Sequence, residues 1–497
     1  MRYLPTGSWM QKADAHTIQE IGIPSMVLME KAALGIVEAL RDKHLNLENV
    51  LIVCGSGNNG GDGFAVARLL QEEQHAVTIA FVGKKESMSE ECKQQYRIAD
   101  NLGIPIVTEI PDSGYNIILD AIFGVGLSRD ITGRYAAVIE QLNRMNGYKV
   151  AVDIPSGVSS SNGKILGVAF KADLTVSIQC EKLGTVLYPG KEFAGEVIVQ
   201  KIGIDTRFYK DNNEIAYTLE TGDLKTQLPK RVANSHKGTY GKVLMITGSS
   251  GMAGAAYLSA KSAYTSGAGL VQIYTAQANR TVLQQLLPEA IITTYEQYSQ
   301  EELCRLLDWA DVVCIGCGLG QSTVAESLLK GVFQFCKVPC IVDADGINLL
   351  AGEKELLKKS SFPIILTPHM LEMTRLLGGT VSELVENRID MLGAFVEQYP
   401  VVCALKDART IVAEKNHALF VNTAGNSAMA KAGSGDVLAG VITGLTAQHM
   451  DVYESAVLGV YLHAKGGDEA KTQCGSYSVL AEDLIEGIKS VLKQTEV

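Results

Sequence analysis

Short apolar runs, each closed by a glycine loop or an aspartate and followed by a helix-compatible stretch, recur between residues 50 and 405. That order belongs to strands returned to one parallel sheet by crossover helices, so the fold class is α/β. In such sheets ligands bind beyond the carboxyl ends of the strands, where these loops and aspartates fall. A chain of 497 residues is too long for one hydrophobic core, and two domains are expected, 1–213 and 214–497. The halves share no repeat, so they read as a fusion of two different sheets. Residues 205–229 mix charged residues with the polar cluster Asp211, Asn212 and Asn213 and with Gly222, and read as the linker.

Apolar residues make up 46% and charged residues 20%, as in folded globular domains. A net charge of −11 argues against a surface built for nucleic acid or an anionic membrane, while leaving room for a local cleft that takes a phosphorylated small molecule. No apolar run is long enough for a membrane span and no signal-peptide order stands at the N-terminus, so a cytoplasmic protein is expected. The ten cysteines are scattered, which fits a reducing compartment. Cys314-x-x-Cys317 and Cys336-x-x-x-Cys340 approach the spacing of a zinc ribbon. They fall in segments that read as buried strands, where free cysteine behaves as a small hydrophobe.

In the first half Val50-Leu-Ile-Val-Cys54 leads into Gly55-Ser-Gly-Asn-Asn-Gly-Gly-Asp-Gly63, with a helix expected from about Phe64. The glycines satisfy a dinucleotide fingerprint, but the next strand ends in Gly83-Lys-Lys without the ribose-binding acid, which weakens a dehydrogenase reading. Asn58, Asn59 and Asp62 carry more side-chain hydrogen-bonding capacity than a loop needs, and read as ligand groups; Asx turns are the structural alternative. Two further strands end in Asp120 and Asp153, so Asn59, Asp120 and Asp153 can converge at one crevice. Each aspartate alone also suits a helix cap.

The second half has its own sheet, with strands expected at 243–247, 270–274, 312–315, 340–342, 364–367 and 401–405. Asn426-Ser-Ala-Met-Ala-Lys-Ala-Gly-Ser-Gly-Asp-Val-Leu-Ala-Gly440 sets a glycine loop, one carboxylate and a helix start in succession. Backbone N–H groups at that helix start suit phosphate oxygens. Asp436, placed against them, suits a base that takes a proton from an attacking hydroxyl. The same residues also suit a turn with Asp436 as N-cap.

Asn426 to Gly440, together with His236-Lys-Gly-Thr-Tyr-Gly-Lys-Val, resembles the ribokinase-like dehydratase domain of the bifunctional NAD(P)H-hydrate repair enzymes. Asn58-Asn-Gly-Gly-Asp-Gly63 resembles the Rossmann-like epimerase domain of the same family. The resemblance implies epimerisation of R and S NAD(P)HX at C6, then dehydration of the S form driven by ADP or ATP. In the epimerase half it implies substrate binding by Asn58, Asn59, Gly60, Gly61 and Asp62, by Gly124, Val125, Gly126, Leu127, Ser128, Arg129 and Asp130, and by Asp153, which would also be the acid/base. Asn59, Asp120 and Ser156 match the positions of a potassium site. In the dehydratase half it implies substrate contacts from Ala253, Gly320, His369 and the catalytic Asp436. Nucleotide contacts would come from Lys406, Asp407, Ala408, Arg409, Thr410 and Gly435, with Mg2+ beside the phosphates. NADHX, NADPHX and ADP or ATP are the implied partners, and a homo-oligomer the implied assembly. The chain departs from the family pattern at Met370-Leu371, where Pro-Gly is usual, and at Asp407 and Arg409, where small residues are. A hydroxyl kinase fused to a Rossmann-like domain is the rival reading, and the first half also resembles a domain of an mRNA decapping scaffold.

Overall fold

The computed structural model describes residues 1–112, 114–210 and 212–496; Asp211 of the expected linker lies outside them. The chain divides into two compact units, Tyr3–Tyr217 and Thr218–Val497, with Met1–Arg2 grouped with the second. Part of the expected linker is regular structure. It contains the strand Ala216–Thr218 and the helix Thr221–Gln227, whose start is closed by a capping box of Glu220 and Asp223.

The first unit holds a seven-stranded parallel sheet. Its strands are β1 (Asn49–Cys54), β2 (Ala76–Phe81), β3 (Ile106–Val107), β4 (Ile117–Ala121), β5 (Tyr148–Val152), β6 (Leu174–Ile178) and β7 (Glu196–Gln200), in the order β3-β2-β1-β4-β5-β6-β7. Ile52, Leu119 and Val150 pack on one face with Ile36 and Phe64, while Leu51, Ile118 and Ala151 pack on the other with Ile139 and Leu142. Burial of both faces is why these strands read as near-continuous apolar runs. A fully buried side chain such as Phe64 contributes about 2–3 kcal/mol through the water it leaves.

In the second unit the strands are β8 (Lys242–Ile246), β9 (Leu270–Ala276), β10 (Ile291–Tyr295), β11 (Val312–Ile315), β12 (Cys340–Val342), β13 (Ile364–Leu366), β14 (Val402–Leu405), β15 (Ile411–Ala413) and β16 (Phe420–Val421). They run β16-β15-β14-β13-β12-β11-β8-β9-β10, parallel from β14 to β10, with β15 and β16 antiparallel. Among the described residues no helix is long and apolar enough to cross a membrane. Cys314 lies in β11 and Cys340 opens β12; both are buried and free, as are Cys317 and Cys336.

Candidate active sites

The first site begins with a difference from the expected loop. The helix after β1 starts at Asn58 and runs to Glu72, so Asn58, Asn59 and Asp62 stand on its opening turns. The glycines that suggest a loop serve close packing instead. A Cβ on Gly60 would meet the Gly55 carbonyl oxygen at 2.1 Å, one on Gly61 the Met29 Cε at 2.6 Å, and one on Gly63 the Ala121 Cβ at 2.6 Å.

β1, β4 and β5 are neighbours, which brings their carboxyl ends together. Asp120 is fully buried in β4. It accepts from the Ser156 amide at 2.7 Å, the Ser156 hydroxyl at 2.7 Å and the Ile122 amide at 3.1 Å. Burial outweighs those donors and pushes its pKa up to about 6. The Asn59 amide donates to the Phe123 carbonyl at 2.6 Å, and the Phe123 amide donates to Ser156 Oγ at 2.9 Å. Asn59, Asp120 and Ser156 are thus tied into one oxygen-rich knot.

Asp153 follows β5 in a left-handed backbone state, φ 67°. Its Oδ1 accepts the Ile178 amide at 2.9 Å and the ammonium of Lys182. The Lys182 side chain is 1% exposed and also donates to the Ile178 carbonyl at 2.7 Å and Ser177 Oγ at 3.3 Å. Asp153, Lys182, Asn58, Asn59, Asp62 and the stretch from Gly124 to Arg129 line a cavity of about 750 Å³, a size that suits a cofactor-sized ligand. Asp130 is exposed and outside that lining.

In the second unit the carboxyl ends of β11 to β14 supply the parts. The loop after β11 is tied to the loop after β8 through the Gly248 amide to the Cys317 carbonyl, 2.9 Å, and the Ser249 amide to the Gly318 carbonyl, 2.6 Å. Ala253 opens the helix Ala253–Thr265 beside that junction, and Gly320 donates its amide to Asp345 at 2.8 Å. Asp343, just past β12, is buried and accepts Lys406 Nζ at 2.6 Å and Thr367 Oγ1 at 2.7 Å. Burial works against the charge on Lys406, but Asp343 and Glu372 outweigh it and raise its pKa.

Asp436 sits in the first turn of the helix Ser434–Thr446, whose N-cap, Gly433, has φ 89°. Burial first, then Asp343, pushes its pKa up to about 6, while Cys317 and Lys406 pull the other way. A Cβ on Gly435 would stand 3.5 Å from Lys406 Nζ, so that ammonium lies at the helix start. Under it His463 is buried and 3.4 Å from Ser434 Oγ; burial pulls its pKa down to about 4 and keeps it neutral.

His369 closes a capping box on the helix Met370–Leu377: its Nδ1 accepts the Glu372 amide at 3.1 Å, and its own amide donates to Glu372 at 2.8 Å. Asp407 is engaged by Arg388 at 2.8 Å, and Arg409 by the Thr423 carbonyl at 2.8 Å. The acid at the unusual position 407 therefore already has a cationic partner.

A family profile described as NAD(P)H-hydrate dehydratase matches residues 243–490, and one described as YjeF-related protein N-terminus matches residues 25–184. The bifunctional NAD(P)H-hydrate repair enzyme Nnr of Moorella thermoacetica is 35% identical over 516 residues, spanning 99% of this chain and 97% of that protein. The chain belongs to the bifunctional NAD(P)H-hydrate repair enzymes. Two solved structures match the second unit. A ribokinase-like superfamily protein from Enterococcus faecalis is 29% identical with a TM-score of 0.52, covering 56% of this chain and 96% of that one. An ADP/ATP-dependent NAD(P)H-hydrate dehydratase from Bacillus subtilis, co-crystallised with ATP and Mg2+, is 30% identical with a TM-score of 0.50, covering 56% and 97%. The two-domain α/β fold, Rossmann-like then ribokinase-like, is that of the family.

In this repair enzyme two residues at the heart of the sites escaped the reading of the sequence. Lys182 lies 29 positions after Asp153 and belongs to no motif; the signal was a lone lysine among residues that are otherwise buried, Leu183–Val186. Cys317, buried 3.6 Å from Asp343 Oδ2 and within hydrogen-bond reach of Asp436, looked like a zinc-ribbon cysteine or a small hydrophobe. Among the described residues the acidic and thiol group that converges closely enough for a metal is Cys317, Asp343 and Asp436.

Proposed function

We propose that the two sites divide one repair between them, with the epimerase in the unit Tyr3–Tyr217 and the dehydratase in Thr218–Val497. The enzyme is an NAD(P)HX epimerase and an ADP- or ATP-dependent NAD(P)HX dehydratase. Hydrated NADH or NADPH carries a hydroxyl on C6 of the reduced ring, a poor leaving group. In the second site Asp436 takes the proton of that hydroxyl as its oxygen attacks the terminal phosphoryl group of ADP or ATP. The amides from Gly433 to Gly435 and the Lys406 ammonium face the charge that builds on the transferred group. Phosphate then leaves C6 and a proton leaves C5, restoring the ring. Ala253, Gly320 and His369 would flank the dinucleotide, and the stretch from Lys406 to Thr410 the adenylate. The observation that carries this reading is Asp436 at the helix start, with no cationic side chain bonded to it among the described residues and its pKa at about 6, where a base serves near neutral pH.

In the first site Asp153, held in place by Lys182, acts as the acid/base on the hydroxyl that C6 carries. Asn59, Asp120 and Ser156 would hold potassium. The fit is good: all three offer oxygen, the carboxylate is fully buried, and among the described residues no cationic side chain is named as acting on it. A cation there supplies the charge that keeps Asp120 ionised. For Mg2+ the Cys317–Asp343–Asp436 group fits poorly, since a thiol is a soft donor and Asp343 is already taken by Lys406. Mg2+ entering with the nucleotide would keep phosphate and water ligands. Free cysteines throughout support a cytoplasmic setting, and a homo-oligomer, checked by light scattering, completes the reading.

The test is to incubate the purified protein with hydrated NADH and ADP. Absorbance of the reduced nicotinamide should recover with release of inorganic phosphate. Phosphate retained on the product would instead mark a hydroxyl kinase. Cutting the chain within 205–229 should leave an N-terminal piece that interconverts epimers and a C-terminal piece that consumes one of them; loss of cooperative melting in both pieces would sink the division.

A further inference from the structure

We propose that Asp62 is a second catalytic carboxyl of the epimerase site, a neutral acid that hands one proton to the substrate while Asp153 takes another. This rests on the epimerase reading of the cavity.

Three buried aspartates stand around this pocket, and their partners differ. Asp120 accepts three hydrogen bonds and Asp153 accepts an amide and an ammonium. Asp62 is 8% exposed, lines the same cavity as Asp153 and Lys182, and meets no hydrogen-bond donor among the described residues. A buried carboxylate without a donor is costly, and the group relieves the cost by keeping its proton.

The carboxyls around it point the same way, and a lysine opposes them. Asp153 faces it from the end of β5, Asp14 from the helix Gly7–His16, the thiol of Cys54 from the end of β1, and that of Cys92 from the helix Glu90–Asn101. Among the described residues the cation acting on it is Lys182, whose ammonium is committed to Asp153. Burial, then Asp153, then Asp14, hold the Asp62 carboxyl well above the usual carboxylate range. Nor is Asp62 a cap. It accepts no backbone amide, and the helix start is located by the close packing of Gly60, Gly61 and Gly63.

A hydroxyl on C6, next to the ring nitrogen N1, makes that carbon a hemiaminal, whose configuration is lost when the C6–N1 bond opens. The Asp153 carboxylate takes the hydroxyl proton, C6=O forms, and the C6–N1 pair passes to N1. Asp62 donates its proton to N1. Rotation about C5–C6 presents the other carbonyl face; N1 then re-attacks, returns its proton to Asp62, and the new hydroxyl receives the proton held by Asp153. Both carboxyls end as they began, so one ionised and one neutral acid suffice without a co-reactant.

Asp62→Asn keeps the shape of a neutral carboxyl and removes the transferable proton. Epimer exchange should fall about 100-fold or more in kcat with KM little changed, and the alkaline fall in kcat should disappear. Asp62→Glu should restore part of the rate together with that alkaline fall. A variant that raises KM and keeps kcat makes Asp62 a binding group and overturns the proposal. Should Asp62→Asn not fold, infrared spectra of the parent at about pH 8, where carboxyls near 6 have ionised, still decide. A protonated carboxyl band is expected, and its absence overturns the proposal. Parent enzyme without epimer exchange would bring down the epimerase reading itself, and this proposal with it.

Discussion

In the N-terminal unit Lys182 sits on Asp153, and in the C-terminal unit Lys406 sits on Asp343 at 2.6 Å. Each site also holds a carboxyl to which, among the described residues, no ammonium is bonded, the buried Asp62 in one and the half-buried Asp436 in the other, and desolvation raises the pKa of both. The two lysines nevertheless do different things. Lys182, 1% exposed, spends its remaining donors on Ser177 and the Ile178 carbonyl. Its effect falls on Asp153. Lys406, 18% exposed, stands at the start of the glycine-loop helix, where an incoming phosphate would meet it. On the proposed reading the partner aspartate there is the anchor and the lysine is the member that faces the phosphate. How enclosed the ammonium is tells which member of a buried pair works.

The largest effect that would test this contrast is at Asp436. Asp436→Asn should bind ADP and melt like the parent while dehydration drops on the order of 1,000-fold, because an amide cannot accept the hydroxyl proton. Near-normal turnover would reduce Asp436 to an N-cap, where Asn is almost as good. Next comes Asp153→Asn. Epimer exchange, measured above the spontaneous rate, should fall about 100-fold while dehydration of the S epimer survives. A loss of both activities together would contradict the separation of the sites.

Acidification gives a smaller, graded test. Dehydration needs Asp436 ionised, so its rate should decline about tenfold per pH unit below about 6. Stability should not follow. A carboxyl whose folded pKa is raised binds its proton more tightly when folded, so its contribution is full below its usual value of 3.8 and is lost as pH rises through about 6. Melting scans at pH values on either side of that range separate titration from unfolding. The smallest effect expected is from the cation. Replacing potassium by tetramethylammonium should slow epimer exchange a few-fold and lower melting by about 2–4 °C for each kcal/mol of binding lost. Asp120→Asn should remove that dependence; a parent enzyme indifferent to potassium would remove the cation from the site.

The parallel strands were legible because burial on both faces leaves unbroken apolar runs, and the expected positions of β11 and β12 agree with their observed spans. β10 and the pair β15 and β16 were not. β10 is half-polar and lies at the sheet edge, where nothing forces an apolar pattern, while β15 and β16 are buried but only three and two residues long, too short to show a period. Glycine misled the reading once. In Asn58–Glu72 it marks close approach inside a helix, whereas the expectation placed a loop there and a helix only from about Phe64. The aspartates at strand ends could be found because topology alone sends them to one crevice. Lys182 and Cys317 could not, since what makes them part of a site is the side chain they touch, and that contact spans 29 and 26 positions.

The left-handed backbone at Asp153, φ 67°, narrows what can ever occupy that position. Glycine, asparagine and aspartate enter this region readily, while branched and bulky residues pay for it in strain. The residues that enter it most cheaply are therefore few, and a carboxylate, its amide and glycine are among them; elsewhere in this chain His44, Gln74, Gln179, Ala344 and His449 also adopt it. Codons for asparagine and glycine each differ from one for aspartate by a single nucleotide. If Asp153 is the acid/base, this half of the protein lies one mutation from a folded domain that keeps its cavity without its chemistry, and one mutation back.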